Sequence, residues 1–138
     1  QYCLAEIADQ IVSAGLTEVG DIIGNDGLFP NERWGPGWSQ EDLQYYYGTA
    51  VSALTVNENE LWLQVAPGEA YGDPATMSWR VGDDLYSITN DVITTEDGSD
   101  RRLVLQRPPG SDAVQVSGYM PLGAEPVTYE IGIEDPAL

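Results

Sequence analysis

The sequence contains neither histidine nor lysine, and Cys3 is its only cysteine. Without histidine there is no Ser-His or Cys-His nucleophile and no imidazole to move protons. Without lysine there is no Schiff-base chemistry and no phosphate-binding P-loop. A lone cysteine excludes an internal disulfide and a zinc site of the Cys and His type. Carboxylate chemistry is the one enzymatic option that these absences leave open, and we expect a protein that is not an enzyme.

Basic residues are scarce, since five arginines face 23 acids and the net charge is −18. A surface this negative repels phosphate backbones and anionic lipid headgroups, so we expect no nucleic-acid partner. No apolar run is long enough to span a membrane, so membrane attachment would need an N-terminal segment that is missing here. The composition is typical of a salt-adapted or extracellular protein that works outside the cytoplasm.

What the chain does contain is a globular composition over 138 residues, enough for one domain with its own core. Apolar residues recur at spacings of three and four over 4–23, which predicts an amphipathic helix. The face that would pack on the domain or on neighbouring subunits comprises Leu4, Ile7, Ile11, Leu16 and Val19.

A loop rich in glycine, proline and aromatic residues follows over 25–47. Aromatic side chains in such a loop either fix it to the domain or bind a partner. The candidates for partner binding are Trp34, Trp38, Tyr45 and Tyr46.

The period changes to two over 49–133, where β-branched and aromatic residues predominate. The candidate strands are 49–56, 60–66, 76–81, 85–89, 91–95, 102–107, 113–119 and 126–133. Short connections, including a hairpin turn over 96–100, predict antiparallel pairing. We therefore expect a single domain over 1–138 with an α+β fold, in which the N-terminal amphipathic helix packs on an antiparallel β-sheet.

The turn over 96–100 also carries oxygen ligands of the kind that calcium prefers. Asp97 and Asp100 are the candidate ligands. The chain has no EF-hand pattern, however, and the same residue types are common in turns that bind no metal. We expect no other cofactor.

The end of the predicted helix, Ile22-Ile23-Gly24-Asn25-Asp26-Gly27-Leu28-Phe29-Pro30, resembles the corresponding turn of type IV pilins and pseudopilins. The stretch from Tyr47 to Val56, followed by Leu61-Trp62-Leu63-Gln64-Val65, is similar to the first two strands of that family. The resemblance covers about 4–65. It implies the soluble head domain of a non-catalytic filament subunit that lacks the family's apolar N-terminal helical half and its C-terminal disulfide.

The same resemblance implies that other copies or related subunits of a filament are the partners. The location would be extracellular or at the cell surface, and periplasmic for a pseudopilin. Two other classes stay open. One is a virion or other surface-assembly protein, which also combines an N-terminal helix with a β-rich head. The other is a carbohydrate-binding module that uses Trp34 and Trp38, for which exposed and coplanar indoles would be the sign.

Overall fold

The structure, a computed structural model, describes residues 2–30, 32–80 and 85–135. Within these residues there is one α-helix, α1 (Tyr2–Ser13), followed by six strands. The strands are β1 (Glu60–Ala66), β2 (Thr76–Trp79), β3 (Ser87–Thr95), β4 (Arg102–Gln106), β5 (Ala113–Pro121) and β6 (Val127–Gly132). Short 3-10 turns at Asp42–Gln44, Tyr46–Gly48 and Asn57–Asn59 lie between α1 and β1.

The strands form two three-stranded sheets. The first has the order β2-β1-β6 and is antiparallel throughout. The second has the order β3-β5-β4, with β3 parallel and β4 antiparallel to the central β5. The residues just before β2 link the sheets, because Ala75 N–H donates to Val92 O and Thr94 N–H donates to Asp73 O.

The core lies between the two sheets and draws on both of them. It comprises Leu63, Val65, Ala75, Val92, Leu105, Val114, Val116, Met120 and Ile131. Burial alternates along β1, where Leu61, Leu63 and Val65 are buried and Trp62 is exposed. Successive side chains of a strand point to opposite faces, so this alternation follows directly from the period of two in the sequence.

The prediction of a strand over 49–56 is wrong. Val51 N–H donates to Arg33 O. The side chain of Asn59 forms hydrogen bonds with main-chain groups that would otherwise pair with a neighbouring strand. Its Oδ1 atom accepts from Val56 N–H at 3.0 Å, and its Nδ2 atom donates to Leu54 O at 3.1 Å. Such local bonds compete with sheet pairing, and the segment remains irregular.

The other predicted strands are present, and their pairing is antiparallel as predicted except between β3 and β5, which are parallel. The pieces 85–89 and 91–95 belong to one continuous strand, β3, and residue 81 of the predicted strand 76–81 lies outside the described residues. The turn over 96–100 does not close a hairpin, because β5 lies between β3 and β4. Since β4 reverses the chain direction, β5 enters the gap between them parallel to β3.

The prediction that an N-terminal helix packs on the sheet is also wrong. The helix ends at Ser13, and Gly15 follows in the left-handed region at φ +93. Gly15 N–H donates to Val12 O and Leu16 N–H donates to Ile11 O, which is the Schellman motif that terminates helices. The predicted packing residues are all exposed, namely Leu4, Ile7, Ile11, Leu16 and Val19. The fold is therefore mostly β-sheet with one short helix.

Candidate functional site

A cleft of about 500 Å³ opens between the start of β3, the 110–112 turn and the residues that follow β6. We name it the Glu134 cleft, and its walls consist of Arg33, Leu85, Tyr86, Gly110, Ser111, Asp112, Ile133, Glu134 and Asp135. Its volume lies in the range of small-molecule sites. Glu134 stands at the centre of the hydrogen bonds that shape it.

A buried arginine anchors this region. Arg107 follows β4, and its side chain is 1% exposed. Its Nη1 atom donates to Glu134 Oε2 at 2.9 Å, and its Nη2 atom donates to Leu43 O at 2.8 Å. Its guanidinium carbon also lies 5.2 Å from the centroid of the Tyr86 ring. A buried charge is tolerated only when it is paired and hydrogen-bonded, and Arg107 meets that condition by joining three separate segments.

Glu134 connects the remaining walls. Its Oε2 atom also accepts from Gly110 N–H at 2.7 Å, and its own N–H donates to Tyr86 Oη at 3.0 Å. Its carbonyl oxygen accepts from Arg33 Nη1 at 3.2 Å. The carboxylate thus acts as an acceptor for a guanidinium and a main-chain amide at once. We call Arg107, Glu134 and their hydrogen-bond partners the Arg107 network, and its geometry is that of a structural junction.

Among the described residues that line the cleft, none is an activated nucleophile. Ser111 is the serine in its wall, and Ser111 Oγ accepts a hydrogen bond from Ala113 N–H at 3.1 Å. The chain has no histidine or lysine that could take a proton from this hydroxyl. The arrangement can hold segments together or receive a ligand, but it does not form a nucleophile–base pair.

Two of the predicted partner-binding aromatics fix the loop to the domain. The indole N–H of Trp34 donates to Gly48 O at 2.7 Å. Tyr45 forms an isolated bridge with Ile131 of β6. A buried polar tip that finds a partner is the usual state of a packed tryptophan. The 25–47 loop is therefore attached through the side chain of Trp34 and through the main chain of Tyr45.

The other two predicted aromatics stay at the surface. Trp38 is 46% exposed and Tyr46 is 50% exposed. Tyr46 packs edge-on against Tyr47, whose ring stacks on Tyr45 with centroids 5.6 Å apart. The structure does not bring Trp38 and Tyr46 into the Glu134 cleft. A partner-binding role for these two side chains stays a prediction.

The candidate calcium ligands Asp97 and Asp100 lie exposed in the turn after β3. Across residues 2–30, 32–80 and 85–135, no group of three or more histidine, cysteine or acidic side chains has the placement needed to hold a metal ion. Calcium binding at Asp97 and Asp100 stays a prediction.

The surroundings of Glu60 change the titration of its carboxylate. Partial burial raises its pKa, and repulsion from Glu130 and Glu58 adds to the rise, whereas a hydrogen bond with the Trp62 side chain acts in the opposite direction. The folded state therefore favours the protonated form. Stability from this group is present below the ordinary glutamate pKa and is lost as the pH rises through the raised value.

We expect Glu60→Gln to increase the free energy of unfolding at pH 7 by about 0.2–1 kcal/mol, the scale of like-charge repulsion on a sheet face. Glutamine keeps an acceptor for Trp62 and removes the charge. The gain should disappear at pH values below the ordinary glutamate pKa of 4.5. Urea unfolding at pH 4 and pH 7 measures the difference, with the exposed Glu125→Gln as the matched control. An equal gain in the control would show that total charge, and not the position of Glu60, is responsible.

The residues of the Arg107 network were not among the predicted site residues. One signal in the sequence could have found Arg107. It is one of only five bases in the chain, and it follows the strand 102–106 and precedes Pro108. An arginine that continues a half-buried strand, in a chain with so many acids, indicates a paired arginine.

Comparison with known proteins identifies relatives of the whole chain. A family model described as the D-Ala-D-Ala carboxypeptidase 3 (S13) family matches residues 1–138. The D-alanyl-D-alanine carboxypeptidase of Actinomadura sp. (strain R39) is 32% identical over 141 residues, which cover 97% of this chain and 26% of the relative. The chain thus spans about a quarter of the length of that relative.

A solved structure shares the fold. Penicillin binding protein 4 from Haemophilus influenzae superposes with a TM-score of 0.64 at 13% identity. The match covers 81% of this chain and 25% of that protein. At this identity the likeness concerns the fold alone.

These matches overturn most of the functional expectations. The resemblance to type IV pilins is wrong, and with it the prediction of a filament subunit whose partners are other subunits. The prediction that the protein is not an enzyme is wrong as well, because the family description and the relative's name both specify a carboxypeptidase. A virion or surface-assembly protein and a carbohydrate-binding module fit no better.

The family confirms the general prediction that the protein lies outside the cytoplasm. Within the described residues, no helix has the length and apolar character needed to cross a membrane.

Proposed function

Because the chain belongs to the D-Ala-D-Ala carboxypeptidase 3 (S13) family, we propose that the protein is, or forms part of, a D-alanyl-D-alanine carboxypeptidase that acts on peptidoglycan peptides. The observation that carries the proposal is the family match over residues 1–138. The relative of 32% identity, which is matched by 97% of the chain, supports the same activity.

The catalytic residues of this proposed enzyme lie outside residues 1–138. Penicillin-binding proteins use the motifs S-x-x-K, S-D-N and K-T-G, in which the serine of the first motif is the nucleophile. A chain without lysine cannot contain the first or the third, and Ser-Asp-Asn does not occur in it. In this proposal the two sheets form a domain beside the catalytic part of a longer polypeptide.

We propose a more specific location for the protein on the basis of its proposed substrate. Peptidoglycan lies beyond the cytoplasmic membrane, so the enzyme would act in the cell envelope, in contact with the wall. The absence of lysine and histidine fits a domain that lies beside the catalytic part, because such a domain needs no proton-transfer groups of its own.

The test uses the complete product of the gene. We expect it to release D-alanine from a short peptide ending in D-Ala-D-Ala, and to be labelled covalently by a fluorescent penicillin. The matched control replaces the serine of its S-x-x-K motif with alanine, and D-alanine release should fall by at least about a thousandfold because the nucleophile is gone.

Two outcomes would contradict the proposal. One is a folded, full-length protein that neither releases D-alanine nor binds the penicillin. The other is a gene product that contains no S-x-x-K motif in any of its residues.

A further inference from the structure

In the N-terminal arm, defined here as residues 2–30, the described side chains of 4–30 add nothing to the core of the domain. No described side chain over 4–30 is buried. Ten large apolar side chains of the arm are 41–90% exposed, namely Leu4, Ile7, Ile11, Val12, Leu16, Val19, Ile22, Ile23, Leu28 and Phe29. An exposed apolar surface of this extent marks an interaction site. A helix of 12 residues is marginal in water without packing, so α1 also needs a partner.

The backbone of the arm is unpaired where the helix has ended. Within the described chain, residues 17–25 have no main-chain hydrogen bond to another main-chain group. This segment includes the β-branched residues Thr17, Val19, Ile22 and Ile23. A segment with unpaired main-chain donors and acceptors and with β-branched side chains is suited to add as a strand to a sheet edge. The arm therefore offers an unpaired segment with strand-forming side chains next to an uncovered helix.

The charge of the arm selects the kind of partner. The arm carries five acids and no base, namely Glu6, Asp9, Glu18, Asp21 and Asp26. A second copy would bring the same acids together and would add another net charge of −18. The carboxypeptidase relative is about four times as long as the matched segment, so in that protein other domains accompany the segment. A neutral or basic surface on an attached domain fits the arm better than a second copy.

We propose that the arm docks on another domain of the same carboxypeptidase polypeptide. Residues 17–25 add a strand to the open edge of a sheet in that domain, and α1 covers apolar surface beside it. This inference rests on the proposed function, because it requires a longer polypeptide of the S13 family.

Hydrogen exchange measured by mass spectrometry on the full-length protein tests the docking. The amides of 17–25 should exchange at least about a hundredfold more slowly than in an unstructured peptide, because strand addition pairs them. Ile22 and Ile23 point to opposite faces of a strand, so Ile22→Asp and Ile23→Asp place a charge on either face in turn. At least one of them should accelerate exchange over 17–25 by tenfold or more. The matched control is Tyr71→Asp, at an exposed aromatic outside the arm, and it should leave that exchange unchanged.

Three outcomes would overturn the proposal. The first is exchange over 17–25 at the unstructured rate in the full-length protein. The second is protection that vanishes on dilution together with a dimer seen by light scattering, which would make a second copy the partner. The third is a gene product with no further domain. Assay of D-alanine release from the same preparation separates the two proposals, because protection without activity would contradict the enzyme alone, and activity without protection would contradict the docking alone.

Discussion

Replacement of Arg107 with methionine is expected to lower the free energy of unfolding by about 3 kcal/mol, as measured by urea denaturation of the full-length protein. The change removes the ion pair with Glu134 and the hydrogen bond to Leu43 O. The figure is at the lower end for a broken buried pair because Glu134 is 23% exposed and keeps its bond from Gly110 N–H. Arg107 Nε has no hydrogen-bond partner among the described residues, so methionine also removes one unsatisfied donor.

The matched control is Arg102→Met, which removes the same side chain from an exposed position on β4. A surface change of this kind should alter stability by no more than about 0.5 kcal/mol. Equal losses in the two variants would mean that Arg107 contributes only as a charge in an acidic chain, and the Arg107 network would not be a structural junction.

The same pair of residues supports a double-mutant cycle. Glu134→Gln leaves the Arg107 guanidinium buried without a counter-charge, whereas Arg107→Met leaves a partly exposed carboxylate. Glu134→Gln should therefore be at least as destabilising as Arg107→Met. Because an unpaired buried charge causes much of each loss, the double variant should lose less than the sum of the single losses. Simple additivity would show that the two side chains do not stabilise one another.

The strand pattern was the part of the fold that the sequence could predict. In β1 the apolar positions Leu61, Leu63 and Val65 alternate with polar or exposed ones, and the structure buries the apolar set. Burial on one face leaves a period of two in any strand, whatever its neighbours are. The order of strands in a sheet leaves no such local trace. For that reason the parallel pairing of β3 with β5 could not be read from short connections.

For the helix, the spacing of apolar residues did not predict what the apolar residues contact. Spacing of three and four over 4–23 predicted one helix with an apolar face, but the helix ends at Ser13, and the spacing could not say which surface covers the apolar residues. Gly15, Leu16 and the residues after them continue the apolar spacing, although the Schellman motif has already ended the helix. The prediction assigned the face to the sheet of this domain, whereas every described side chain over 4–25 is exposed.

Neither the candidate site nor the family could be predicted from short sequence motifs. Arg107 and Glu134 are 27 positions apart in the sequence and meet only because β4 and β6 end at the same side of the domain. None of the motifs that identify penicillin-binding proteins occurs in these 138 residues, so chemical reasoning found no enzyme. The family is visible only in similarity spread over 97% of the chain.

Gly118 is a position where the backbone leaves no room for a side chain. It lies in the middle of β5, opposite Val92 of β3 and Leu103 of β4. Its φ of +124 is in the region that favours glycine, and a Cβ atom at this position would overlap the carbonyl oxygen of Arg102. Since β5 pairs on both sides, neither neighbour can move away without breaking a ladder.

Gly118→Ala is therefore expected to lower the free energy of unfolding by at least about 2 kcal/mol, because left-handed strain and overpacking cost about 1–3 kcal/mol each. The matched control is Gly35→Ala, where an added Cβ meets nothing within 4 Å and φ is ordinary. That variant should be neutral or gain about 0.4–1 kcal/mol, because alanine restricts the unfolded chain. Urea midpoints of the two variants in the full-length protein provide the measurement. If Gly118→Ala unfolds at the same midpoint as Gly35→Ala, β5 does not approach Arg102 as the structure describes, and the central position of β5 in its sheet is wrong.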